Sequence, residues 1–156
     1  GGGEPRSSGY WLLWNSCAQD NRSETAATNG GPAAGWFILD DLLELPGILV
    51  GELQVETCDQ GINLLQRSDL AGVDRSSDAA YHLAAELITA QVNLAIGSEY
   101  CPAVDQAVAA GQLLLISQGF DGSGSYLGPP VASQQVETFE ILIEQLGEYN
   151  SGELCR

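Results

Sequence analysis

The sequence contains no lysine and no methionine, and its one histidine is His82. Without lysine there is no Schiff-base nucleophile, no P-loop lysine and no lysine-based isopeptide crosslink. With a lone histidine, any Ser-His-Asp or Cys-His arrangement must pass through His82. Its neighbours Ser76, Ser77 and Asp78 do not complete a G-x-S-x-G nucleophile turn. Basic side chains are also scarce: Arg6, Arg22, Arg67, Arg75 and Arg156 stand against 21 acidic residues, a formal net charge of −16. A field of that sign repels phosphate backbones and anionic headgroups, which argues against nucleic acid and membrane surfaces as partners. No apolar run approaches the roughly 20 residues that a membrane-spanning helix needs, so no membrane insertion is expected. No charged-then-apolar leader precedes Gly1, and for an exported chain Gly1 is expected to follow a removed leader. No internal repeat is visible, which argues against a solenoid.

What is present describes a folded, stapled chain. At 156 residues, 44% of them hydrophobic, the chain is long enough for one core and short for two, so residues 9–156 read as a single domain. Cys17, Cys58, Cys101 and Cys155 form an even set without the C-x-x-C spacing of a zinc ribbon or thioredoxin-like site. Two disulfides in an oxidising compartment are expected. Four cysteines allow three connectivities and spacing does not choose among them; Cys17 with Cys58 and Cys101 with Cys155 is the working expectation. Asn21-Arg22-Ser23 fits the N-glycosylation sequon, which makes Asn21 a candidate acceptor.

Residues 1–8, GGGEPRSS, carry Gly1, Gly2 and Gly3 and no large apolar group, and are expected to form a flexible tail in an isolated molecule. The cluster GYWLLWNSC then anchors a polar stretch from Ala18 to Gly35, and Asp40 and Asp41 suit the start of a short helix ending at Pro46-Gly47. Residues 48–56 read as a short ribbon turning near Gly51. Thr57 caps a helix through about Arg67, and an Ala-rich helix starts at Ser76 or Ser77 and ends at Gly97. Pro102 opens a further helix closed at Gly119, and Ser133 caps a last one with Val136, Phe139, Ile141, Leu142, Ile143 and Leu146 as its inner side. The expected fold is therefore mainly α: about four to five helices in a compact bundle with a short β ribbon and two disulfides.

Three phrases set this chain beside a kind of domain found in exported, often multidomain bacterial surface proteins. Gly9-Tyr10-Trp11, LAAELITAQVNLAIG at residues 83–97 and EYNSGELC at residues 148–155 resemble that domain's Gly-Tyr-Trp start, Ala-rich central helix and Tyr-Asn-x-Gly-x-x-Cys tail. GSYLGPP at residues 124–130 resembles its last loop. The chain departs from it in LLWN after Trp11, where Lys-Asn-His-Pro is usual, and in the extra segment from Asn15 to Gly35. The resemblance implies export and a helical domain, and brings no catalytic residues.

Several sites are weighed from the residues alone. Asp40, Asp41, Glu44, Asp59, Asp69, Asp74 and Asp121 could supply a glycosidase carboxylate pair, but a chain this acidic carries most carboxylates as solvated surface charge. Asp121-Gly122-Ser123-Gly124-Ser125 alternates oxygen side chains as a calcium loop does, which makes Asp121 the first candidate metal ligand; position 132 is alanine where an acidic twelfth residue would stand. Tyr10, Trp11, Trp14, Trp36 and Phe37 suit either a sugar-stacking platform or a core. No cofactor is expected. The function expected is a non-enzymatic, secreted, extracellular or cell-surface structural protein, a self-associating subunit of a filament or sheath whose tail, Gly1–Gly3 with Arg6, touches the next copy. The alternative is a monomeric secreted module that binds a glycan or cell-surface protein.

Overall fold

The computed structural model describes residues 4–15, 17, 39–43, 47–128 and 133–155. Its elements in chain order are α1 (Ser8–Leu13), α2 (Leu39–Leu43), β1 (Ile48–Val50), β2 (Leu53–Val55), α3 (Cys58–Leu65), α4 (Ala79–Ala95), α5 (Pro102–Ser117) and α6 (Ser133–Asn150). The fold is mainly helical, as the sequence implies.

Local chemistry sets most of the boundaries. Thr57 and Gln60 form a reciprocal capping box that satisfies the first orphan amides of α3. Pro102 occupies the first turn of α5, where its missing N–H costs nothing. The two strands pair antiparallel, Ile48 opposite Val55 and Val50 opposite Leu53. Gly51 turns the ribbon at φ +65°, and a Cβ there would stand 3.1 Å from Leu115 Cβ, so both the turn and the approach of the ribbon to α5 need glycine.

The start of α4 differs from expectation. Asp78, not Ser76 or Ser77, is the N-cap, its carboxylate accepting from the Ala80 amide at 3.0 Å. Three consecutive capping residue types leave the local choice open; the packing of a distant loop on Asp78, described below, decides it.

Helix α4 is the axis of the molecule. It packs against α1, α2, α3, α5, α6 and β1, and most extensively against α6. Ala80, Ala84 and Ala90 are buried together with Leu83, Leu87, Ile88 and Val92, so the helix is enclosed nearly all round instead of showing one apolar stripe. In α6, Phe139, Ile143, Leu146 and Tyr149 face the core, whereas Ile141, expected inside, is 59% exposed. Phe139, Ile143 and Leu146 follow helical spacing on one stripe, and Ile141 lies two residues off it.

Both disulfides form as expected. Cys17–Cys58 ties the exit of α1 to the first turn of α3, and Cys101–Cys155 ties the start of α5 to the C-terminal tail. The Leu39 amide donates to the Trp14 carbonyl at 2.8 Å, so the chain between them leaves and returns at one place.

The segment expected as a free tail is docked on its own chain from Pro5 onward. Pro5 is buried, and the Arg6 peptide is held on both sides by the Asn93 side chain, N–H to Oδ1 at 2.9 Å and Nδ2 to the Arg6 carbonyl at 2.7 Å. Ser7 then caps α1. The missing signal was tertiary: a tail without large apolar groups is fixed here by a buried amide 87 residues away. Gly1, Gly2 and Gly3 lie outside the described residues.

Candidate functional site

The phrases that distinguish the sequence meet in space. Trp11, from the Gly-Tyr-Trp start, donates its indole N–H to Asn93 Oδ1 at 3.2 Å. Asn93, from the central helix, donates to Asn150 Oδ1 at 3.1 Å, and Asn150, from the C-terminal phrase, donates to Glu86 Oε2 at 2.8 Å and to the Glu86 carbonyl at 3.2 Å. Asn93 thus uses its two acceptor and two donor capacities, on the Arg6 amide, the Trp11 indole, the Arg6 carbonyl and Asn150. Such a satisfied buried network fixes one arrangement of the elements that share it, since any slip strands several polar groups at once. Next to it, Tyr149 donates to the Glu99 carbonyl at 2.8 Å, and burial pushes its phenol up to about 12.

A second cluster holds the loop before α6. Asp78 accepts from the Tyr126 amide at 2.7 Å and the Leu127 amide at 3.0 Å, in addition to capping α4. Tyr81 donates to the Gly124 carbonyl at 2.7 Å, and Arg75, paired with Asp69 at 3.2 Å, reaches Ser125. A Cβ on Gly122, at φ +81°, would come within 2.7 Å of Leu70 Cγ, so the loop lies flat on its own body. Asp78→Ala removes three accepted bonds, one of them to a buried loop amide, and is expected to cost about 2–4 kcal/mol of stability, read from chemical denaturation. A loss below about 1 kcal/mol would show that the loop is held by other contacts.

Asp121 serves this loop from within. Its Oδ1 accepts from the Ser123 amide, the Ser123 hydroxyl and the Tyr126 phenol, and these donors hold its carboxyl below the usual range, the Ser123 hydroxyl chief among them. Among the described residues no group of three or more His, Cys, Asp or Glu is placed to hold a metal ion.

The aromatic cluster is an internal anchor. Trp11 is 1% and Trp14 9% exposed, and Tyr10 stacks on Trp14 at 5.5 Å and meets Trp11 edge-on at 4.9 Å. The Arg6 guanidinium lies 5.1 Å from the Tyr10 ring centre. Trp11 and Trp14 are thus packed inside, and Tyr10 is half-buried. Trp36, Phe37 and Asn21 lie outside the described residues.

His82 and Glu86 stand one turn apart on α4. Burial, assisted by the charge of Arg67, holds His82 below the ordinary imidazole range, and burial pushes the Glu86 carboxyl up against the Asn150 donor and Arg67. All four cysteines are consumed in disulfides, so no thiol pairs with His82. Asp69 and Asp74 are occupied with turns. Asp69 accepts from the amides of Ala71 and Val73, and Asp74 from that of Ser76.

None of these internal contacts was legible as a site in the sequence. Asn93 and Asn150 carry no local signature, and only their place in the quoted phrases singles them out. Comparison with family models, curated proteins and solved structures finds no match to this chain. Residues of Gly9-Tyr10-Trp11, of 83–97 and of 148–155 meet at Asn93, where their hydrogen bonds join α1, α4 and α6.

Proposed function

We propose that this chain is a non-enzymatic structural protein exported to the cell exterior, and that it works by associating with copies of itself in a surface assembly. The observation that carries the reading is where its polar chemistry is directed. Asn93, Asn150, Asp78, Asp69 and Asp121 are engaged with backbone and side chains of their own chain. What faces outward is an acidic surface interrupted by exposed Leu49, Tyr100, Leu113, Ile116 and Ile141. Apolar groups exposed side by side mark protein contacts, and Leu113 and Ile116 stand one turn apart on α5. The two disulfides fit an oxidising compartment, and among the described residues no helix is long and apolar enough to cross a membrane. The glycan-binding alternative loses support with the burial of Trp11 and Trp14.

Electron microscopy of concentrated protein tests the proposal: ordered oligomers or filaments are expected, and particles that stay single at every concentration would overturn it. Truncation must respect the fold, because removing residues 1–8 also removes the Arg6 clamp on Asn93. Deletion of Gly1–Gly3 alone is the test of the tail as an assembly contact.

A further inference from the structure

Resting on that reading, we infer that one of the contacts between copies is the outer face of α5, packed on its own equivalent in a second copy about a two-fold axis. Gln106, Ala109, Leu113 and Ile116 recur at helical spacing along this face and are all exposed, Leu113 by 67% and Ile116 by 41%. The helix PAVDQAVAAGQLLLIS has Asp105 as its sole ionisable side chain, and none occurs from Gln106 through Phe120. In a chain of net charge −16 that is a neutral, apolar window. A basic partner would gain from an acidic face and has many here; a neutral face suits a partner that is itself strongly acidic, which another copy is.

Shape points the same way. Near its N-terminal end α5 borders a groove of about 230 Å³ lined by Ala103, Ala107, Ala110, Leu142 and Leu154 together with Gln106 and Gln145. At its C-terminal end Leu113 and Ile116 project, and beyond Ile116 the face ends at Glu52 and Asp121. Projection and groove lie on one helix, roughly 15 Å apart along its axis from Ala103 to Leu113. An antiparallel pairing of two α5 helices brings Leu113 of each copy to the groove of the other, and the small side chains at Ala109 and Ala110 let the helices cross closely. On the inner side, the Gln112 amide holds Leu49 O and the Gly51 N–H at 2.6 Å each, so the helix keeps its place whether or not the outer face is covered.

The test is the molar mass of wild type and of the Leu113→Glu and Ile116→Glu variants by light scattering, at about 0.1 M and about 1 M salt, where the screening length falls from about 10 Å to about 3 Å. Both substituted positions are exposed, and an unchanged thermal transition confirms that the variants fold. Wild type is expected to associate, more tightly at high salt because the copies repel at long range, and each variant to associate about 100-fold more weakly, since a carboxylate must then be desolvated at the contact. Association that is intact in both variants would overturn the α5 contact and leave self-association standing. Association weakened by salt would show a contact driven by opposite charges and overturn the neutral-face pairing. A wild type that stays monomeric throughout would overturn both the contact and the proposal on which it rests.

Discussion

Asn93→Leu is expected to lower the stability of the protein by about 3–5 kcal/mol, the largest effect of any single substitution outside the apolar core. Leucine keeps the branched shape of asparagine, with methyl groups in place of the amide oxygen and nitrogen, and offers no polar atom. The change leaves the Trp11 indole N–H, the Arg6 amide and carbonyl, and Asn150 Oδ1 without the partners that Asn93 supplies. Each buried group left unsatisfied costs about 1–3 kcal/mol, and the Arg6 groups, nearer the surface, recover part of theirs from water. Asn63→Ala makes the comparison, because Asn63 supplies one longer bond, to the Leu70 carbonyl at 3.3 Å, and its loss is expected to cost under about 1 kcal/mol. Denaturant midpoints of the two variants measure the difference. An Asn93→Leu protein as stable as Asn63→Ala would mean that the α1, α4 and α6 junction is held by apolar packing alone.

Reduction of the disulfides is expected to abolish cooperative folding. The bonds span sequence separations of 41 and 54 residues, and closing loops of that size removes about 4 kcal/mol of unfolded-state entropy each. Domains of this kind have total stabilities of about 5–15 kcal/mol, so losing both staples takes most of the margin. Cutting Cys101–Cys155 alone, with Cys101→Ser and Cys155→Ser together, is expected to leave a folded protein with a lower transition temperature, because α6 and the Asn150 network still hold the C-terminal end. Circular dichroism with and without reductant reads both results. A fully reduced protein that melts within a few degrees of the oxidised one would show that the core is sufficient without them.

The two experiments also separate what the sequence made legible from what it did not. Thr57, Pro102 and the Gly51 turn act on groups within a few residues of themselves, and their elements formed where periodicity and capping placed them. The Asn93–Asn150 hydrogen bond joins residues 57 apart and the Asp78–Leu127 bond residues 49 apart, so no local pattern announces either. The α4 helix shows the same limit. Besides its alanines, neighbours on every side enclose Thr89 and Asn93, and Thr89 meets its need by donating to the Ala85 carbonyl at 2.8 Å. In α5 the run Leu113-Leu114-Leu115-Ile116 is apolar around the whole helix, yet helical spacing from Val104 and Val108 sets Leu115 inward, where it is buried, and leaves Leu113 outside. The exposure of Leu113 and Ile116 on the opposite side is what the structure adds.

The most direct test of a self-associating role is the mass distribution of the native, oxidised wild-type protein in solution across a wide range of concentration. A mass that rises with concentration to dimers and beyond, further at high salt, is the expected result. A constant mass of 16.4 kDa under all conditions would contradict it and leave a monomeric module.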